Sequence, residues 1–130
     1  MAEERDATLV LIADDDMDIR EILGDWLEEQ GMLFVEARNG DDALEAILVH
    51  RPDVVFLDVM MPGLSGWQIC QYVRSKPELR DTGIVVISGI GERVNDAASP
   101  LFGADEHLDK PFALEDVAAA LARVLGKRRP

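Results

Sequence analysis

The chain has 130 residues, of which 48% are hydrophobic and 30% charged, the balance of one globular domain with a single core. Its formal net charge of −13 argues against direct binding of nucleic acid or of an anionic membrane, because phosphate contacts need a basic surface. Cys70 is the single cysteine, residues 1–6 do not resemble a signal peptide, and no apolar run has the length of a membrane helix. We therefore expect a protein of the cytoplasm.

Five short apolar runs predict buried strands at residues 9–13, 32–37, 54–58, 84–87 and 106–108. Helical spacing predicts a helix after each strand, the last at about 114–125. The fourth, at 92–99, is weak because it contains Asn95 and Asp96 and is cut off by Pro100. The apolar stripes of the other helices are Ile19, Ile22, Leu23, Trp26 and Leu27; Ala43, Leu44 and Ile47; Ile69, Tyr72 and Val73; and Leu114, Val117, Leu121 and Val124. This alternation predicts an α/β fold, a doubly wound parallel sheet with helices on both faces.

Helix ends and domain limits follow from local signals. Asp16 or Asp18 can cap the first helix, which Gly31 is placed to end, and Ser65 can cap the third, which should end before Pro77. We expect an N-terminal extension at 1–7, one domain at 8–126, and a basic, unstructured tail or the start of a linker at 127–130.

Polar side chains stand at or just after the ends of several predicted strands. They are Asp14, Asp15, Asp58, Ser88 and Lys110. In an open parallel sheet all carboxyl ends of strands lie along one edge, where ligands bind. Three unpaired carboxylates there would repel one another, and a hard cation such as Mg²⁺ relieves that repulsion. With a lysine and a hydroxyl beside it, the group suits phosphoryl transfer to an attacking carboxylate.

Other motifs fit less well. Asp14, Asp16 and Asp18 resemble the start of a calcium loop, but Ile19 stands where that loop requires glycine. The chain has no glycine-rich nucleotide-binding loop. Haloacid-dehalogenase-type phosphatases carry a second Asp two residues after their nucleophile, where this chain has Met60. Neither His50 nor His107 shows a serine or cysteine partner in the sequence, so we expect no catalytic triad.

Several motifs together cover nearly the whole chain. They are Leu11 to Asp16, Asp58 to Gly66, Val85 to Gly89, Gly103 to Asp105, and Lys110 to Phe112. In residue type and spacing they resemble the receiver domain of two-component response regulators. The resemblance implies a flavodoxin-like sheet with strand order 2-1-3-4-5.

The resemblance also implies roles for individual residues. Asp58 would accept a phosphoryl group from a histidine kinase or a histidine phosphotransfer protein. Asp15, Asp58 and the Met60 carbonyl would hold Mg²⁺, with Asp14 acting through a water. Ser88 and Lys110 would bind the phosphoryl group, and the bond from Lys110 to Pro111 would be cis. The chain would be a switch rather than an enzyme. It would signal through the face formed by helix 4, strand 5 and helix 5 to an unknown target, or through a homodimer on activation.

Three positions depart from the family pattern. His107 occupies the aromatic switch position, where a volume-filling role is the simpler interpretation and a pH-dependent one the alternative. Met60 and Ile90 occupy the two rate-tuning positions, and since neither can orient a water we predict slow self-dephosphorylation. Two alternatives stay open, a pseudo-receiver that binds partners without phosphorylation and a turnover phosphatase. The chain could also be the receiver part of a larger transcriptional or enzymatic regulator.

Overall fold

The computed structural model describes residues 7–89 and 103–128. The strands there are β1 (Leu9–Ala13), β2 (Leu33–Ala37), β3 (Val54–Asp58), β4 (Gly83–Ser88) and β5 (Glu106–Asp109). The helices are α1 (Met17–Glu29), α2 (Gly40–His50), α3 (Gly66–Ser75) and α4 (Leu114–Arg128), with a 3-10 turn at Pro77–Leu79. The helix predicted at 92–99 lies outside the described residues, so α4 corresponds to the fifth predicted helix.

The five strands form one parallel sheet in the order β2-β1-β3-β4-β5. This confirms the predicted α/β architecture and the strand order that the resemblance implied. Two apolar clusters cover the sheet, one under α2 and α3 and the other under α1 and α4. Every residue of β1, β3 and β4 is buried, which explains why these strands are apolar throughout instead of alternating. None of the helices in the described part of the chain is long and apolar enough to cross a membrane.

The helices α1 and α3 begin at side chains that cap them. The Asp16 carboxylate accepts a hydrogen bond from the Asp18 amide at 2.9 Å, so Asp16 is the cap of α1. Ser65 and Gln68 form a reciprocal capping box, with the Gln68 amide 3.2 Å from Ser65 Oγ and the Ser65 amide 2.9 Å from Gln68 Oε1. Local sequence therefore determines where these two helices begin.

Two apolar side chains predicted to face the core are exposed instead. Ile22 on α1 is 48% exposed and Leu114 at the start of α4 is 40% exposed. Leu23 and Leu27 face the sheet, and Ile22 is turned away because consecutive helical residues are rotated by about 100°. In α4 the buried stripe begins one turn later, at Val117.

The prediction that the helix ends at 125 and an unstructured tail starts at 127 is wrong, because α4 continues through Arg128. Lysine and arginine are good helix formers, and positive side chains are favourable in the last turn. Lys127 Nζ also donates to the Asp105 carbonyl at 3.3 Å, which ties the end of the helix to the start of β5.

One guanidinium joins α3 to the chain entering β5. Arg74 donates to the Gly103 carbonyl at 2.7 Å, to the Arg80 and Thr82 carbonyls at 2.8 and 2.7 Å, and to the Asp105 carboxylate at 2.9 Å. The same Asp105 oxygen accepts from the Ile84 amide at 2.9 Å. Asp105 is thus held from both α3 and β4, which accounts for the Gly103 to Asp105 motif.

Candidate functional site

The carboxyl edge of the sheet brings together the polar residues predicted to meet there. Carboxylate oxygens of Asp14, Asp15 and Asp58 all lie within 4.8 Å of one another. Asp14 and Asp58 are buried, at 0% and 2% exposure, whereas Asp15 is exposed at the rim. Lys110 Nζ reaches in from the loop after β5 and lies 3.2 Å from Asp14 Oδ2 and 3.4 Å from Asp58 Oδ2.

The electrostatics of this group are unusual for a carboxylate site. Burial, followed by the charge of Asp14, raises the pKa of Asp58 from 3.8 to about 7, although the Met60 amide and Lys110 act in the opposite direction. For Lys110, burial lowers the pKa, but the negative charges of Asp14 and Asp58 outweigh it and the pKa is raised. Lys110 therefore stays an ammonium while the carboxylates carry an unresolved repulsion.

These residues fit a hard divalent cation. Asp14 Oδ2 is buried and makes no hydrogen bond within the described residues, so its contact with Lys110 is an ion pair only. A single lysine does not neutralise three carboxylates, and oxygen ligands are those that Mg²⁺ prefers. Asp14, Asp15 and Asp58 each offer a carboxylate oxygen to such an ion.

The loop after β3 approaches the site closely because two glycines allow it. A Cβ on Gly40 would collide with the Leu64 carbonyl, and one on Gly66 would lie 2.7 Å from the Asp58 carbonyl oxygen. The Gly40 amide donates to the Pro62 carbonyl at 2.9 Å, which fixes the loop against α2. The Met60 amide donates to Asp58 Oδ1 at 3.1 Å, and the Met60 side chain is 60% exposed.

Ser88 and His107 are in direct contact. Ser88 Oγ and His107 Nε2 are hydrogen-bonded at 2.6 Å, and the imidazole tautomer decides which of them donates. His107 Nδ1 lies 3.7 Å from Asp109 Oδ1. The expectation that His107 has no serine partner is therefore wrong, because strand pairing brings together residues far apart in sequence. The 3.7 Å from His107 Nδ1 to Asp109 Oδ1 is longer than a hydrogen bond, so Ser88, His107 and Asp109 do not form the connected arrangement of a hydrolase triad.

The remaining site residues have definite places. The peptide bond between Lys110 and Pro111 is cis. The Lys110 amide donates to the Ser88 carbonyl at 2.7 Å, so the loop carrying the lysine is fixed to the end of β4. Ile90, the second rate-tuning position, lies outside the described residues.

Arg20, which the sequence did not single out, contacts the backbone of the acidic group, and Glu36 in turn holds Arg20. Arg20 on α1 donates through Nη1 to the Asp14 carbonyl at 2.8 Å and through Nε to Glu36 Oε1 at 2.9 Å. The sequence contained an indication of Arg20, because it is the single basic residue in the acidic stretch between Asp14 and Glu29. Its role requires β2, which carries Glu36, to lie beside β1.

Comparisons with known proteins agree with this fold. The family model described as the response regulator receiver domain matches residues 10–122. The chain is 40% identical over 124 residues to response regulator MprA of Mycobacterium sp. (strain KMS), covering 93% of this chain and 52% of the relative. The corresponding protein of Mycobacterium avium (strain 104) is 39% identical with the same coverage. The chain thus spans about half the length of these curated relatives.

Solved structures show the same architecture. A response regulator from Chloroflexus aurantiacus J-10-fl has a TM-score of 0.84 at 29% identity, covering 92% of this chain and 98% of that one. The receiver (REC) domain of AraT from Geobacillus stearothermophilus has a TM-score of 0.82 at 35% identity, covering 93% and 95%. With its parallel sheet and acidic carboxyl edge, this chain is a receiver-type signalling domain. It belongs to the response regulator receiver domain family.

Proposed function

We propose that the chain is a phosphorylation-controlled switch that accepts a phosphoryl group on Asp58 from a phosphohistidine of a kinase or phosphotransfer protein. The observation that carries the proposal is the buried Asp58 carboxylate beside Asp14, with the Lys110 ammonium 3.4 Å away. Asp15, Asp58 and the Met60 carbonyl would hold Mg²⁺, with Asp14 acting through a water. The bound ion would supply positive charge that offsets the charge of the transferring phosphoryl oxygens.

The chain's own residues supply the rest of the chemistry. An Asp58 oxygen attacks phosphorus as the bond from phosphorus to the donor imidazole nitrogen breaks, and the electron pair leaves with the imidazole. The Met60 amide, 3.1 Å from Asp58 Oδ1, fixes the rotation of the nucleophile before the reaction. Lys110 lies beside Asp58 Oδ2, where its positive charge stabilises the negative phosphoryl oxygens during the transfer.

The signal would leave through Ser88 and His107. In this structure the Ser88 hydroxyl is engaged with His107. On phosphorylation it would turn to the phosphoryl oxygen, and His107 would lose or reverse that hydrogen bond. Phosphorylation would thereby bias an existing equilibrium at the face formed by the predicted fourth helix, β5 and α4. A downstream protein or a second copy of the chain would bind there.

The same geometry favours a switch over an enzyme with a separate substrate. Met60 is apolar and exposed beside Asp58, so it shields the phosphoryl group without orienting a water. Any activity would be limited to self-phosphorylation from small donors and slow self-dephosphorylation. Since the chain spans about half of its curated relatives, a transcriptional or enzymatic output would reside in an additional domain.

Incubation with Mg²⁺ and either beryllofluoride or a small phosphodonor tests the proposal. We expect a stable modification of the intact protein, lost in Asp58→Asn and retained in Asp25→Asn, a matched change of an exposed aspartate on α1. Mass spectrometry reads the phosphoryl group and tryptophan fluorescence reads beryllofluoride. No modification would indicate a pseudo-receiver, and continuous phosphate release would indicate a phosphatase.

A further inference from the structure

We propose that Arg20 is a positioning residue of the metal site, which holds the Asp14–Asp15 peptide so that the Asp15 carboxylate faces Asp14 and Asp58. The inference rests on the proposed function, because it concerns the Mg²⁺ that phosphoryl transfer uses. It adds a residue that itself touches neither the cation nor the phosphoryl group.

The first step concerns the peptide that follows β1. The pairing of β1 with its neighbours ends at Ala13, and the Asp14 amide still donates to the Ala37 carbonyl at 3.1 Å. The Asp14 carbonyl lies beyond the ladder, and Arg20 Nη1 donates to it at 2.8 Å. A carbonyl and the next amide share one rigid plane, so this bond also fixes the direction in which Asp15 leaves the strand.

The second step concerns the rigidity of Arg20 itself. Its side chain is 14% exposed, and its Nε donates to Glu36 Oε1 on β2 at 2.9 Å. The guanidinium is a planar fork, so two bonds made from different nitrogens leave it little freedom. Lysine has a single nitrogen on a flexible stem and cannot reproduce this bridge. Asp15 is therefore oriented from β2 through α1.

The third step separates position from charge. A guanidinium near a cation site repels the cation, so by charge alone removing Arg20 would strengthen Mg²⁺ binding. If Arg20 positions Asp15, removing it weakens Mg²⁺ binding. The two roles predict opposite signs.

The chain provides a matched control at the far edge of the sheet. Arg123 on α4 pairs with Glu106 on β5 through Nε and Nη2, both 2.9 Å from Oε1. Arg123→Met removes one positive charge and one helix-to-edge-strand ion pair, as Arg20→Met does, but leaves the acidic group untouched.

The experiment measures the Mg²⁺ Kd of wild type, Arg20→Met, Arg20→Lys and Arg123→Met by titration calorimetry. We expect Arg20→Met to raise the Mg²⁺ Kd roughly 10-fold, the lower end for losing a partner that orients a metal ligand. Arg20→Lys keeps the charge and should also weaken binding, whereas Arg123→Met should leave Kd within about twofold. Equal or tighter binding by Arg20→Met and Arg20→Lys would overturn the proposal.

A metal-free readout keeps this inference separate from the proposed function. In the absence of Mg²⁺, the Asp16 amide, which donates to Asp14 Oδ1 at 2.9 Å, should exchange faster in Arg20→Met than in wild type or Arg123→Met, by more than any change in global stability in urea accounts for. If Arg20→Met does not fold, Arg20→Lys carries the same comparison. Unchanged Asp16 exchange in the folded variant contradicts the inference even where Asp58 accepts phosphate. Faster exchange together with weaker Mg²⁺ binding supports the inference even if Asp58 does not accept phosphate.

Discussion

Replacing Asp58 by asparagine should stabilise the metal-free protein at neutral and higher pH. Burial and Asp14 raise the pKa of Asp58 from 3.8 to about 7, so the folded protein holds this proton more tightly than the unfolded chain does. The stability that this carboxyl contributes is therefore complete below pH 3.8 and is lost as the pH rises through about 7. Asparagine keeps the shape and never ionises.

The size of the effect follows from that shift. At about 1.4 kcal/mol per pKa unit, a rise from 3.8 to about 7 corresponds to at most about 4 kcal/mol above pH 7. The effect of Lys110 is already contained in that pKa, but solvent at the rim screens part of the charge, so we expect Asp58→Asn to raise the free energy of unfolding by roughly 2 kcal/mol. At pH 4 the gain should nearly vanish.

Urea unfolding in EDTA, followed by tryptophan fluorescence at pH 4 and pH 8, measures the difference. Asp15→Asn is the control, because Asp15 is exposed at the rim and its replacement should give a much smaller gain. Added Mg²⁺ should stabilise the wild type more than Asp58→Asn, and so reduce the difference between their free energies of unfolding. The reasoning is refuted if Asp58→Asn is no more stable than wild type at pH 8, or if Asp15→Asn gains as much.

Three further outcomes are expected. His107→Phe should remove any change in phosphorylation-linked partner binding between pH 6 and pH 8, and identical pH profiles for both proteins would discard a titrating role for this imidazole. Phosphorylated wild type should persist for minutes rather than seconds, and Met60→Gln, whose amide can orient a water, should shorten that lifetime in a phosphate-release assay. Gly40→Ala should destabilise the protein in urea unfolding, because the added Cβ collides with Leu64. Gly126→Ala has open space at its Cβ and should stabilise the protein by up to about 1 kcal/mol. Similar effects at both glycines would contradict the close approach of Gly40 to Leu64.

The fold was predictable because its signals are local. The buried runs of β1, β3 and β4 and the capping residues Asp16 and Ser65 operate within a few neighbouring residues. The exposure of Ile22 was not predictable, because the apolar stripe of α1 is wide enough to allow more than one rotation of the helix about its axis. The strand order came from resemblance, since hydrophobic pattern does not say which parallel strands are neighbours.

The site divides in the same way. Asp14, Asp58 and Lys110 were found because each stands beside a strand end, and parallel strands deliver their ends to one edge. The contacts of Ser88 with His107 and of Arg20 with Glu36 depend on which strands are adjacent and in what register. Single-residue patterns carry no such information.

The bonds of Arg74 determine which side of β5 faces inward. Successive strand residues point to opposite faces, so a slip of one position would turn Leu108 out of the core and His107 away from Ser88. Asp105 accepts from Arg74 on α3 and from the Ile84 amide on β4, so the residue just before β5 has a fixed position beside β4. The Arg74 guanidinium thus helps to fix the register of β5. Its loss would disturb the hydrogen bond between Ser88 and His107, although Arg74 contacts neither residue.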